Sequence, residues 1–160
     1  MVIFDKRIAG LTELALARFV TRARRAVGLK KTVDVLLTTD AAMQSLNRRF
    51  RGKNAATDVL SFPAAPSRAS QVVGGELAIS AGIAARNAHA RGHSAAEEVK
   101  ILVLHGLLHL RGYDHETDRG QMARREFRLR SRLGLPAGLI ERTTAPTSRP
   151  RSRTASRKRA

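Results

Sequence analysis

From Val99 to Leu110 the chain sets apolar side chains on nearly every face of what reads as one helix. A helix apolar all round belongs inside a molecule, not on its surface. Its start is marked by Ser94-Ala-Ala-Glu97, a capping box in which the serine hydroxyl and the glutamate carboxylate each satisfy a backbone donor left free by the first turn. Gly112 supplies the stop. Lys100, His105 and His109 interrupt the apolar run, which also falls short of the roughly 18 apolar residues that mark a membrane span. The rest of the fold must therefore enclose this helix, and two of its histidines go inside with it.

The remaining sequence offers the enclosing elements. Leu11 to Val27 reads as an amphipathic helix stopped by Gly28, with Leu11, Leu14, Phe19 and Val27 set against Arg18, Arg22 and Arg25. Lys31 to Thr38 alternates as a strand with Val33, Val35 and Leu37 on one face. Thr39 or Asp40 caps a short helix expected to bury Met43, Leu46 and Phe50, followed by a flexible basic loop, Arg51 to Asn54. A second strand, Asp58 to Phe62, is closed by Pro63, and residues 63–71 read as a mobile loop. A third, Glu76 to Ser80, leads into a helix through about His89, and a last amphipathic helix spans about Glu116 to Leu133. Helices and strands mix without a regular βαβ rhythm, which indicates an α+β fold. With 160 residues there is room for one domain, over 1–140. Residues 141–160 hold no apolar periodicity and are expected to be a disordered basic tail.

All five histidines lie between residues 89 and 115, three of them in His105-Gly-Leu-Leu-His109-Leu-Arg-Gly112-Tyr-Asp-His115. Histidines four apart on a helix project from one face and can reach a single ion. A glycine at 112 permits the sharp turn that returns His115 as a third ligand. This is the spacing of the metzincin zinc site. Three protein ligands leave a position open, as catalytic zinc sites do, whereas structural sites take four. With no cysteine in the chain, thiolate ligands are unavailable. Zincin peptidases carry a glutamate directly after the first histidine as general base, but here that position is Gly106, which argues against a peptidase mechanism of that type. His89 and His93 fall outside the pattern and are expected at the surface or in support of the site.

The stretch HGLLHLRGYDH closely resembles the signature of the YbeY family of bacterial rRNA maturation factors. Asn47-Arg-Arg-Phe-Arg51-Gly-Lys, Thr57-Asp-Val-Leu-Ser-Phe-Pro63 and Gly75-Glu-Leu-Ala-Ile-Ser80 resemble further stretches of that family, in its order, although position 76 is Glu where the family usually has Asp. Together they cover roughly residues 30–135. The resemblance implies a zincin-like fold, with a mixed sheet of about four strands packed with the buried helix. It implies a zinc-dependent, single-strand-specific endoribonuclease acting in 16S rRNA 3′-end maturation and ribosome quality control. His105, His109 and His115 match the family's metal ligands, for one Zn2+ per chain, and Arg51 matches an arginine regarded as functional near the metal. Arg51 could clamp a phosphate oxygen. Asp58, Glu76, Asp114 and Glu116 are candidates for supporting the histidines or moving a proton.

Charge agrees with a polyanionic substrate. The formal net charge is +17, and residues 141–160 alone carry seven Arg or Lys against one acid. Such a balance fits nucleic acid. One Tyr and five Phe offer little base stacking, so electrostatics must dominate affinity. The expected partners are rRNA and the small ribosomal subunit, with no membrane and no DNA. No secretory leader is visible, and the setting expected is the cytoplasm. Two other classes remain: a zinc-containing RNA-binding ribosome assembly factor without catalysis, and a metal-dependent hydrolase of another substrate.

Overall fold

The structure is a computed structural model that describes residues 1–65 and 73–136. Four strands, β1 (Val2–Phe4), β2 (Thr32–Thr38), β3 (Val59–Pro63) and β4 (Val73–Ser80), form one sheet in the order β1-β2-β4-β3. β1 and β4 run parallel to β2, and β3 closes the edge antiparallel to β4, so the sheet is mixed. Five helices accompany it: α1 (Glu13–Val27), α2 (Asp40–Arg51), α3 (Ala81–Arg91), α4 (Ala95–Arg111) and α5 (Gln121–Leu133). The α+β class and the mixed four-stranded sheet expected from the sequence are what the chain adopts.

The strands' two-residue period divides the sheet between two cores. Val33, Val35 and Leu37 of β2 and Leu77 and Ile79 of β4 point into the larger core, where α1, α3, α4 and α5 gather. Ala78 and Leu60 point the other way, onto Met43 of α2. α4 lies against the sheet and carries α1, α3 and α5 around it, which explains why Val99, Val103, Leu104, Leu107 and Leu108 are completely buried. The Ser94–Glu97 capping box is formed as the sequence indicated, with both reciprocal bonds present. Burial on this scale stabilises by about 25 cal/mol per Å² of apolar surface removed from water.

Several expectations are corrected. β1 was not anticipated; three residues show no readable alternation, and the strand exists because Val2, Ile3 and Phe4 pair with β2 some 33 positions away. Phe50 is 55% exposed instead of buried, because α2 turns only Met43 and Asn47 fully inward. Phe50 instead packs edge-on against Phe62, with ring centroids 5.2 Å apart. The last helix begins at Gln121 and not at Glu116. Residues 114–120 turn first, held by Asp118, whose carboxylate accepts from the Gly120 and Met122 amides at 2.7 Å each. The expected basic tail at 141–160 and most of the loop expected at 63–71 lie outside the described residues. Among the described residues no helix is long and apolar enough to cross a membrane.

Candidate metal centre

α4 carries His105 and His109 on one face, and its left-handed cap at Gly112, with φ of 104°, turns the chain back on itself. Tyr113 N–H then donates to the Leu108 carbonyl at 3.0 Å, and His115 arrives beside the other two rings. The ring centroids stand 4.8, 5.1 and 5.3 Å apart, and one ligand atom from each histidine lies within 4.8 Å of the others. These three residues could hold a metal ion. Among the described residues no fourth His, Asp or Glu joins them in that group.

Hydrogen bonding fixes which nitrogens are offered. His109 Nδ1 lies 3.0 Å from the Tyr113 carbonyl, which can only accept, so Nδ1 carries the proton and Nε2 keeps its lone pair. His105 Nδ1 lies 3.0 Å from Glu126 Oε2. Burial alone would raise the Glu126 carboxyl, but the hydrogen bond from His105 and the adjacent Arg130 outweigh it and hold the group below the usual carboxylate range. Glu126 is thus ionised and accepts, leaving the His105 Nε2 lone pair free as well. The two Nε2 atoms face each other at 3.1 Å. Two lone pairs at that distance repel unless a cation or a proton lies between them, and the donor set fits a metal. Burial of His109, with the charges of His105 and His115 alongside, lowers its pKa below the ordinary imidazole range, favouring the neutral form that ligation needs.

Glu126 is the residue sequence reasoning missed. Carboxylate partners of ligating histidines fix ring orientation and raise basicity. Here that partner comes from α5, 21 positions from His105, and Arg130 in turn holds the other oxygen of Glu126. Its signal was a lone acid on the apolar stripe Met122, Glu126, Leu129 and Leu133, all of which are buried. Glu126→Gln should weaken metal affinity by about ten- to a hundredfold, with the fold retained. Titration with a competing chelator would measure this, and an unchanged affinity would remove Glu126 from the site.

Gly106 faces the sheet. A Cβ there would come within 2.6 Å of Leu77 Cδ2 and 3.2 Å of Ser61 Oγ, so the position that carries the peptidase base in zincins has no room for a side chain. Since Leu77 is itself 1% exposed, it has little space to move. Gly106→Ala should therefore cost about 1–2 kcal/mol despite the better helix propensity of alanine, read from denaturant melts. Equal or higher stability would mean that the contact with β4 is slack.

The three histidines open onto a cleft of about 740 Å³ between α4 and the β3 edge. Arg51, Lys53, Asp58, Asp114 and Glu116 line it too. Arg51 stands in the last turn of α2, before the cap at Gly52, and its Nη2 donates to the Ser61 carbonyl at 3.2 Å. The expected carboxylates thus divide: Asp58, Asp114 and Glu116 are in the cleft, whereas Glu76 lines a different cavity with Phe50 and Phe62. Of the two outlying histidines, His89 is exposed, while the His93 side chain is 6% exposed and pairs with Glu98, away from the triad.

The family model described as endoribonuclease YbeY matches residues 4–134. The protein named Endoribonuclease YbeY from Koribacter versatilis is 50% identical over 149 residues, covering 93% of this chain and 95% of that one. Its namesake from Solibacter usitatus is 48% identical over 141 residues, covering 88% and 92%. The solution structure of TM1509 from Thermotoga maritima is 24% identical and aligns over 97% of this chain and 100% of that chain, with a TM-score of 0.57, so the two share a fold.

Proposed function

The chain belongs to the YbeY endoribonuclease family, and from that premise we propose that it is a zinc-dependent, single-strand-specific endoribonuclease acting on the 3′ end of 16S rRNA and in ribosome quality control. The observation that carries the metal-dependent part is the pair of Nε2 lone pairs facing each other at 3.1 Å beside a third imidazole in an open cleft. In the proposal His105, His109 and His115 hold one zinc ion per chain; three nitrogen donors without a thiolate suit a catalytic zinc. Bound there, zinc supplies Lewis acidity toward a phosphodiester.

The chain's own residues supply the rest of the chemistry. Glu126 and the Tyr113 carbonyl hold His105 and His109 in the tautomer that presents Nε2. Arg51 and Lys53 give the cleft two cations for the phosphates on either side of the scissile bond. Asp58, Asp114 and Glu116 are the carboxylates within the cleft for accepting or returning a proton. The cleft cations and the basic character of the chain support a polyanionic substrate, and the family supports RNA; the proposal takes rRNA of the small ribosomal subunit, in the cytoplasm, as the setting.

The test compares zinc-loaded, chelator-treated and His109→Ala protein on single-stranded RNA bearing the 16S 3′ end. Loaded protein should cleave it, and the other two should not. Metal analysis should find about one zinc per chain, lost in His109→Ala and held less tightly as pH falls, because protons compete with the metal for the ligand nitrogens. Wild-type metal content in His109→Ala would refute the triad. Cleavage that survives both chelation and the substitution would refute the metal-dependent reading.

A further inference from the structure

A second groove, of about 490 Å³, lies between α1 and α5, and Arg18, Arg22, Arg25 and Arg132 line it together with Ala26 and Leu133. No carboxylate is among the residues that form it. The first three arginines stand at i, i+4 and i+7 on α1, hence on one face. Their rise along the helix axis is about 6 Å and then about 4.5 Å, a ladder of cations.

Two of the arginines that bridge the helices are spent on backbone. Arg22 donates to the Leu133 carbonyl at 3.3 Å, and Arg125, from α5, donates to the Ala26 carbonyl at 3.3 Å while its buried Nε has no partner. Arg18, Arg25 and Arg132 make no ion pair among the described residues. Favourable helix-end placement accounts for Arg25 and Arg132 singly. It does not account for Arg18, nor for four guanidinium groups lining one concavity with no counter-charge among the described residues that form it. Like charges held this way raise the local potential and concentrate anions.

The groove connects with the metal centre through one rigid element. Glu126, which holds His105, and Leu133, which lines the groove, lie on the same face of α5, seven residues or about 10 Å apart along the axis.

We propose that the α1–α5 groove is a second RNA-binding surface, which holds the phosphodiester backbone of the substrate strand outside the cleft and so selects long RNAs over short ones. This rests on the endoribonuclease reading for its ligand, but not on the histidine chemistry. Contacts of this kind carry no base specificity; they set affinity and position.

The experiment uses the zinc-loaded full chain and its Arg18→Gln/Arg25→Gln/Arg132→Gln variant, leaving Arg22 and its backbone bond intact. Two readouts are taken. The first is kcat/KM on a long single-stranded RNA and on an oligoribonucleotide short enough to fill the cleft alone. The second is the salt dependence of binding to a long, fully 2′-O-methylated RNA followed by anisotropy. The variant should lose on the order of tenfold in kcat/KM on the long RNA, through KM, and nothing on the short one. The slope of log K against log salt should flatten by about two, at roughly 0.7 for each phosphate that the variant no longer neutralises. A triple lysine variant should keep most of the affinity, since the contacts are to charge. Unchanged long-RNA binding and slope would overturn the groove assignment while leaving the endoribonuclease reading in place. Wild-type protein that cleaves neither RNA would overturn that reading, and the anisotropy slope would still decide the groove.

Discussion

Glu98→Ala should destabilise the protein by about 3–5 kcal/mol, as much as truncating a large core side chain. Glu98 is 0% exposed, at the start of the central helix, and its two oxygens are taken by Arg91 at the end of α3 and His93 in the α3–α4 connection. A buried carboxylate is tolerated only when fully paired. Removing it leaves the His93 ring, whose Nδ1 already lacks a partner, buried with neither nitrogen satisfied, and leaves a void beside α4. The asymmetry of the network sharpens the prediction. Arg91→Ala should cost less than Glu98→Ala, because that side chain is 42% exposed and its removal opens Glu98 Oε1 to water. Replacing His93 and Glu98 together by leucine should recover much of the loss, since neither buried polar partner remains and the half-exposed Arg91 keeps its contact with water. In thermal melts the single alanine variant should fall by roughly 12–20 °C, at about 4 °C per kcal/mol for a domain of this size. A fall of only a degree or two would show that the pair is balanced by its desolvation and that the α3–α4 turn is held by Ser94 and Glu97 instead.

That network also shows where the sequence stops being legible. Helix ends were readable because caps are local: the Thr39 side chain accepts from the Ala42 amide, Ser94 from Glu97, and Gly112 takes the left-handed turn, all within a few residues. The histidine triad was readable for the same reason, since His105, His109 and His115 span one helical turn and one glycine bend. Glu126 and Glu98 were not. Each is an acid placed inside an apolar helix face, and only the tertiary arrangement says what pairs with it. β1 was missed on the same grounds, since its partner strand and not its own three residues makes it a strand. The exposure of Phe50 follows from how little of the sheet's second face α2 covers, which helical periodicity does not encode. Glu76 was grouped with the cleft carboxylates by charge and by resemblance, and the β4 register with Asp34 on β2 takes it elsewhere.

Arg51→Ala should keep its metal content and melting temperature and yet lose about a hundredfold in RNA cleavage rate, or about 3 kcal/mol of transition-state stabilisation. The side chain is exposed at the end of α2 and packs into no core, so its removal has no fold to disturb. Its one bond among the described residues, from Nη2 to the Ser61 carbonyl, holds the guanidinium over the cleft that the three histidines line. A planar fork placed there can take two oxygens of a phosphate at once, and such bonds strengthen as charge accumulates during attack. Arg51→Lys should therefore recover only part of the rate, because a point charge cannot reproduce the fork. Salt separates this role from simple recruitment. An arginine that only attracts RNA would change KM, with an effect that fades as ionic strength rises. An arginine that clamps the reacting phosphate would change kcat, and that loss would persist at saturating RNA and at higher salt. Cleavage by Arg51→Ala at near wild-type kcat would assign Arg51 to recruitment and leave Lys53 and the metal proposed at the histidines as the cationic groups at the scissile phosphate.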